Sequence, residues 1–81
     1  MTIRVLLFAA LAQHIGVREL SLDIEEGAAV ADALRLLEER HPVLRELRGR
    51  VATAVNMAYV RPEQRLAAGD ELALLPPVSG G

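Results

Sequence analysis

AVADALRLLEER, residues 29–40, is the stretch on which the fold turns. Its apolar positions Val30, Ala33, Leu34 and Leu37 recur at i, i+3, i+4 and i+7, while Asp32, Arg35 and Glu39 lie elsewhere on the wheel. One face of this helix therefore seeks a core and the other seeks water. Its start is weakly signalled, because Ala28 stands where Ser, Thr or Asp would cap the free amides better. What that core is follows from the segments on either side.

Upstream, TIRVLLFA (Thr2 to Ala9) reads as a strand with Ile3, Val5 and Leu7 on one face and Arg4, Leu6 and Phe8 on the other. Ala10 to Ile15 is expected to form a helical turn closed by Gly16 as a left-handed cap. RELSLDI (Arg18 to Ile24) alternates Leu20, Leu22 and Ile24 against Glu19, Ser21 and Asp23, the pattern of a half-buried strand, and Glu25-Glu26-Gly27 turns the chain. Downstream, Pro42 opens a short helical turn through Leu47, ended at Gly49. VATAVN (Val51 to Asn56) and MAYV (Met57 to Val60) read as one or two strands, Arg61 to Asp70 as a loop and ELALL (Glu71 to Leu75) as the last strand. Pro76 and Pro77 end it, since proline donates no ladder hydrogen bond.

The order strand, strand, helix, strand, strand gives a hairpin, a crossover helix and a mixed sheet with one main helix packed on one face. That is the α+β grasp arrangement of ubiquitin-like folds. The reading places one domain over residues 1–75 and a flexible tail over residues 76–81, ending in Gly80-Gly81.

A sheet covered on one side should alternate apolar and polar residues. The strand at Arg18 to Ile24 does so; the first and last strands do not. If Ile3, Val5, Leu7, Leu72 and Leu74 meet the helix, then Leu6, Phe8 and Leu75 face outward, and Tyr59 joins them. Two readings of that face stay open: a loop or extra helix covers it, or it is an apolar patch for a partner protein.

With 81 residues, the chain has no room for a deep active site beside its core, so a function carried by a surface or a terminus is favoured. A net charge of −2 without a basic run argues against nucleic acid and anionic membranes as partners. The chain has no cysteine, which excludes disulfides, thiolate metal sites and a thiol nucleophile. All nine basic residues are arginine, so no side-chain amine is present for acylation. Arg4 followed by VLLFAALA imitates a secretory signal, but its charged region is one arginine and its removal would delete the first core strand. The chain is read as cytoplasmic. His14 and His41 lack partners at ligand spacing, Asp23, Glu25 and Glu26 read as a solvated turn, and Glu38, Glu39, Asp70 and Glu71 carry no paired-carboxylate logic. No metal and no bound cofactor is expected.

Certain pieces resemble one family. AVN at Ala54 to Asn56, GDELALLPPV at Gly69 to Val78, the final SGG, the first strand RVLLFA and Gly16 are similar to the small subunit of molybdopterin synthase, a ubiquitin-like sulfur carrier. The similarity spans nearly the whole chain, and the terminal PPVSGG is its specific part. The resemblance implies that Gly81, with Gly80 beside it, is adenylated by a ubiquitin-activating-type adenylyltransferase that uses ATP. A sulfur donor then converts it to a thiocarboxylate. A large subunit receives it, in an assembly implied to be a heterotetramer, and the sulfur passes to cyclic pyranopterin monophosphate. It also implies that the partner-binding surface lies on Phe8, Leu6, Tyr59 and Leu75 and continues through Pro76, Pro77, Val78 and Ser79. Glycine lacks a Cβ, so Gly80-Gly81 suits a tunnel too narrow for any side chain, and two prolines stiffen the approach to it. The chain would then be a protein co-substrate without catalytic side chains of its own. Two alternatives need the same activated tail: a modifier conjugated through Gly81 to lysines of other proteins, and a sulfur carrier for thiamine, cysteine or tRNA thiolation.

Overall fold

The computed structural model describes residues 1–47 and 50–76. Arg48 and Gly49, and Pro77, Val78, Ser79, Gly80 and Gly81, lie outside the described residues, so the helix end expected at Gly49 and the tail expected beyond Pro76 do too.

Eight elements follow in chain order: β1 (Thr2–Leu7), α1 (Ala9–Ile15), β2 (Glu19–Asp23), α2 (Val30–Arg40), α3 (Pro42–Glu46), β3 (Ala52–Val55), β4 (Ala58–Tyr59) and β5 (Glu71–Leu75). The strands form one mixed sheet in the order β2-β1-β5-β3-β4. β1 and β2 are an antiparallel hairpin pair, and β5 returns parallel to β1 at the centre. β3 pairs antiparallel with both β5 and β4. This is the ubiquitin-like β-grasp.

Ile3, Val5 and Leu7 of β1, Leu22 of β2 and Leu72 and Leu74 of β5 share one core with Leu11 of α1, Val30, Ala33 and Leu37 of α2 and Leu44 of α3. All these side chains are nearly or fully buried. The alternation expected of β1 and β2 is what the structure shows, with β1 buried at every second residue. Gly16 closes α1 at φ 94°, ψ 0°, in the left-handed region expected for it, and its amide donates to Ala12 O at 2.8 Å.

Beyond β2, β3 and β4 being shorter than the stretches Arg18 to Ile24, Val51 to Asn56 and Met57 to Val60 expected for them, two expectations need correction. β1 ends at Leu7, two residues before the expected Ala9: Phe8 is the N-cap of α1, still extended at φ −113° and ψ 152°, and Ala9 already opens the helix. The second concerns α2, whose N-cap is Ala29 and not Ala28. Alanine has no capping oxygen, and the free amides are satisfied from two other sources. Asp32 Oδ2 accepts from Ala29 N–H at 2.9 Å, which is the carboxylate half of a capping box. The segment between β4 and β5 supplies the rest: Val30 N–H donates to Gln64 O at 2.8 Å and Ala31 N–H to Pro62 O at 3.0 Å. Leu66 N–H returns to Ala28 O at 2.8 Å, and Arg65 Nη1 reaches Gly27 O at 2.7 Å. The loop read at residues 61–70 is thus the missing helix cap, held through backbone groups that sequence does not reveal.

Candidate functional site

Inward-facing residues being fixed by the core, the outward face of the sheet follows from the register. One row crosses all five strands: Glu19, Leu6, Ala73, Ala54 and Tyr59 stand as successive cross-strand partners. A second row lies at the end where β5 finishes. Leu75 pairs with Ala52, and continuing the parallel register past Leu7 and Leu74 brings Phe8 level with Leu75. On the other side of the first row, Arg4 stands between Ser21 and Glu71. The face therefore has two halves. Leu6, Phe8, Ala73, Leu75, Ala54 and Tyr59 form an apolar half, and Arg4, Glu19, Ser21 and Glu71 form a polar one.

The apolar half is uncovered where it matters. Tyr59 is 77% exposed and Phe8 44% exposed, while Leu6 and Leu75 are half-buried. Ala54 and Ala73 are small, which keeps the middle of the row low between Leu6 and Tyr59. Among the described residues, no loop or helix covers Phe8 or Tyr59. All four residues read from sequence as the outward patch thus lie on one face, and Pro76, half-buried, leaves from its apolar half. Gly81, Gly80, Pro77, Val78 and Ser79 fall outside the described residues.

Local backbone conformation fixes both exposed aromatics. After Phe8 the chain turns sharply through Ala9 at φ 50°, a left-handed value that a non-glycine residue adopts only under constraint from its surroundings. Tyr59 is carried on a two-residue hairpin whose turn, Asn56 and Met57, has φ of 50° and 73°, the doubly positive combination of a type I′ turn. The Asn56 side chain fastens that hairpin to β5. Its Nδ2 donates to Asp70 Oδ1 at 3.0 Å and its Oδ1 accepts from Glu71 N–H at 3.0 Å. The backbone N–H of Asn56 adds a bond to Glu71 O at 2.9 Å. The sequence pattern places Asn56 at the end of a strand; in the structure it belongs, with Met57, to the turn. An asparagine ahead of a short apolar run was the available signal, blurred because Met57 stands where glycine is usual.

The polar half is built on Arg4. Its guanidinium donates through Nε and Nη2 to Glu19 Oε1, and Nη1 lies 3.4 Å from Glu71 Oε2. The hydrogen bond from Arg4 to Glu19, the charge of Glu19 and more weakly that of Glu71 together hold this guanidinium above its ordinary pKa. Sequence reading found no role for these residues, because the two carboxylates are 52 positions apart along the chain, 71 minus 19, and meet only through β1.

The remaining candidates stand apart from this face. His14 lies in the last turn of α1 and His41 at the junction of α2 and α3. Asp23, Glu25 and Glu26 border a shallow concavity against α2, shared with Asp32, Arg35 and Glu39. Among the described residues, no helix is long and apolar enough to cross a membrane.

Known proteins match the chain end to end. The profile of the ThiS family matches residues 5–81. The molybdopterin synthase sulfur carrier subunit of Chlamydomonas reinhardtii is 39% identical over 83 residues, covering 100% of both chains. The crystal structure of small archaeal modifier protein 1 from Haloferax volcanii superposes with a TM-score of 0.87 at 38% identity, again over 100% of both chains. A complex of subunits 1 and 2 of the molybdopterin-converting factor from Helicobacter pylori contains a chain that superposes with a TM-score of 0.70 at 27% identity, covering 100% of both. A sheet order, a core and a sequence that agree over the full length leave one conclusion: the chain belongs to the ThiS family.

Proposed function

We propose that this protein is the sulfur carrier subunit of molybdopterin synthase, and that it presents its C-terminal glycine to a large subunit that docks on the apolar half of the sheet. The observation that carries this reading is the position of β5: it leads Leu75 and Pro76 out of the sheet beside Phe8, so that whatever covers Leu6, Phe8, Leu75 and Tyr59 also stands at the root of the tail. Relatives bearing the sulfur-carrier name over the same full length support it, as does the complex of subunits 1 and 2 of the molybdopterin-converting factor from Helicobacter pylori.

The chemistry asks little of this chain's side chains. A carboxylate is a poor acyl donor; in the proposed sequence the Gly81 carboxylate attacks the α-phosphorus of ATP on the activating enzyme and pyrophosphate leaves. A sulfide-equivalent nucleophile then attacks the acyl carbon of the adenylate and AMP leaves, giving the thiocarboxylate. The acceptor takes the sulfur and water returns the oxygen. What this chain contributes is a rigid body, a docking face and a tip with no Cβ. Deleting Gly81, or adding one residue after it, should abolish sulfur transfer in a reconstituted reaction while the melting temperature stays put. Normal transfer by either variant would refute the reading.

The similarity to small archaeal modifier protein 1 favours a second reading, conjugation of the same activated Gly81 to lysines of other proteins. Both need one activated carboxyl terminus, and they part at its acceptor. Because this chain holds no lysine, conjugates would not extend through its own side chains.

A further inference from the structure

An apolar patch of low relief does not by itself fix the rotation of what docks on it, yet a carrier must hand over its tail in one orientation. The Arg4, Glu19 and Glu71 triad supplies the missing asymmetry. Arg4 and Glu71 lie on the same outward face, one row from Leu6 and Ala73 and on the side away from Leu75, while Glu19 stands beside Leu6 in the first row. The triad's composition is unbalanced, two carboxylates to one guanidinium. Arg4 is committed to Glu19 through two donors, whereas its approach to Glu71 is a single contact at 3.4 Å. Glu71 is in turn fixed by its backbone bonds to Asn56 and is not swung by a mobile loop. A partner that covers the apolar half brings low-dielectric surface up to this edge, where an unbalanced carboxylate is disfavoured unless the partner answers it with a cation.

We propose that the triad is the orienting contact of the docking face, and that the large subunit places a basic side chain over Glu71. The inference rests on the carrier reading for the identity of the partner. A cation there steers encounter and fixes the rotation of the two bodies, with its effect mainly on the association rate and strongly dependent on salt.

The sign of the charge effect is the test. Association of the large subunit from the same genome would be followed by stopped flow with Glu71→Gln, Arg4→Gln and Leu75→Asp variants, at low and high salt, with thermal melts on each. Glu71→Gln removes the surplus and should slow association roughly 3- to 10-fold at low salt, with the difference fading at high salt. Arg4→Gln enlarges the surplus and should speed association by a similar factor, an effect opposite in sign to any loss of fold. Leu75→Asp should abolish binding at both salts. If Leu75→Asp binds normally, the docking face itself is wrong. If Leu75→Asp fails to bind while Glu71→Gln and Arg4→Gln associate at the wild-type rate, or change it in the reverse sense, the carrier reading stands and the orienting cation is refuted.

Discussion

Replacing Tyr59 with alanine separates docking from folding more sharply than any other single change. The side chain is 77% exposed in the free protein and sits on an edge strand of two residues. A tyrosine offers about 150–250 Å² when fully buried, so covering its exposed part removes on the order of 150 Å² from water, roughly 4 kcal/mol gross at about 25 cal/mol per Å². Binding also orders side chains and desolvates the phenol hydroxyl, and aromatic anchors truncated to alanine lose at least about 2 kcal/mol when they matter. We therefore expect Tyr59→Ala to weaken the complex with the large subunit by about 2–3 kcal/mol, roughly 30- to 150-fold in Kd. Folding should lose less than about 1 kcal/mol, the span of strand propensity, because the ring contributes little buried surface to the free chain. Titration calorimetry and thermal melts on the same preparation measure both quantities. An unchanged Kd, or a stability loss as large as the binding loss, would refute the placement of Tyr59 on the docking face.

The remaining expectations concern the body that holds the face. Leu72→Ala empties a fully buried position under β5 and should cost about 2–5 kcal/mol in chemical denaturation, with any binding defect explained by the unfolded fraction. Asn56→Ala removes both side-chain bonds, to Asp70 and to Glu71, at a position of positive φ and should cost about 1–3 kcal/mol; Asn56→Gly should recover the conformational part and not the clamp, leaving it between the two. Asp32→Ala deletes the one side-chain acceptor at the start of α2, and a loss of about 0.5–1.5 kcal/mol is expected, small because Gln64 O and Pro62 O still hold Val30 and Ala31. A loss above about 3 kcal/mol for Asp32→Ala would show that those loop carbonyls contribute nothing.

What could be read from the chain was what depends on local period. The alternation in β1 and β2, the helical spacing of Val30, Ala33 and Leu37, the cap at Gly16 and the bounds of β5 are all local, and the topology follows from their order. The outward apolar row was legible for the same reason: Leu6, Phe8 and Leu75 have the wrong parity for the core, and parity is a property of one strand. What escaped depends on which residues the topology brings together. The cap of α2 comes from backbone carbonyls far along the chain, Gln64 O for Val30 and Pro62 O for Ala31, 34 and 31 positions away, and carbonyls leave no mark in sequence. The Arg4 triad joins three strands, and the clamp of Asn56 joins the β3–β4 turn to β5. Each of the three long-range features serves to hold the face or the helix beneath it in place.

Whether the carboxyl terminus of this chain becomes a sulfur carrier is read directly by intact-mass spectrometry. The protein would be incubated with its activating enzyme, ATP and a sulfur donor, and then with the large subunit and cyclic pyranopterin monophosphate. We expect a mass gain equal to one oxygen replaced by one sulfur, confined to the C-terminal peptide, absent without ATP, and reversed when the acceptor is added. A chain that stays at its original mass under these conditions while accumulating in cells as lysine conjugates of other proteins would contradict the carrier reading.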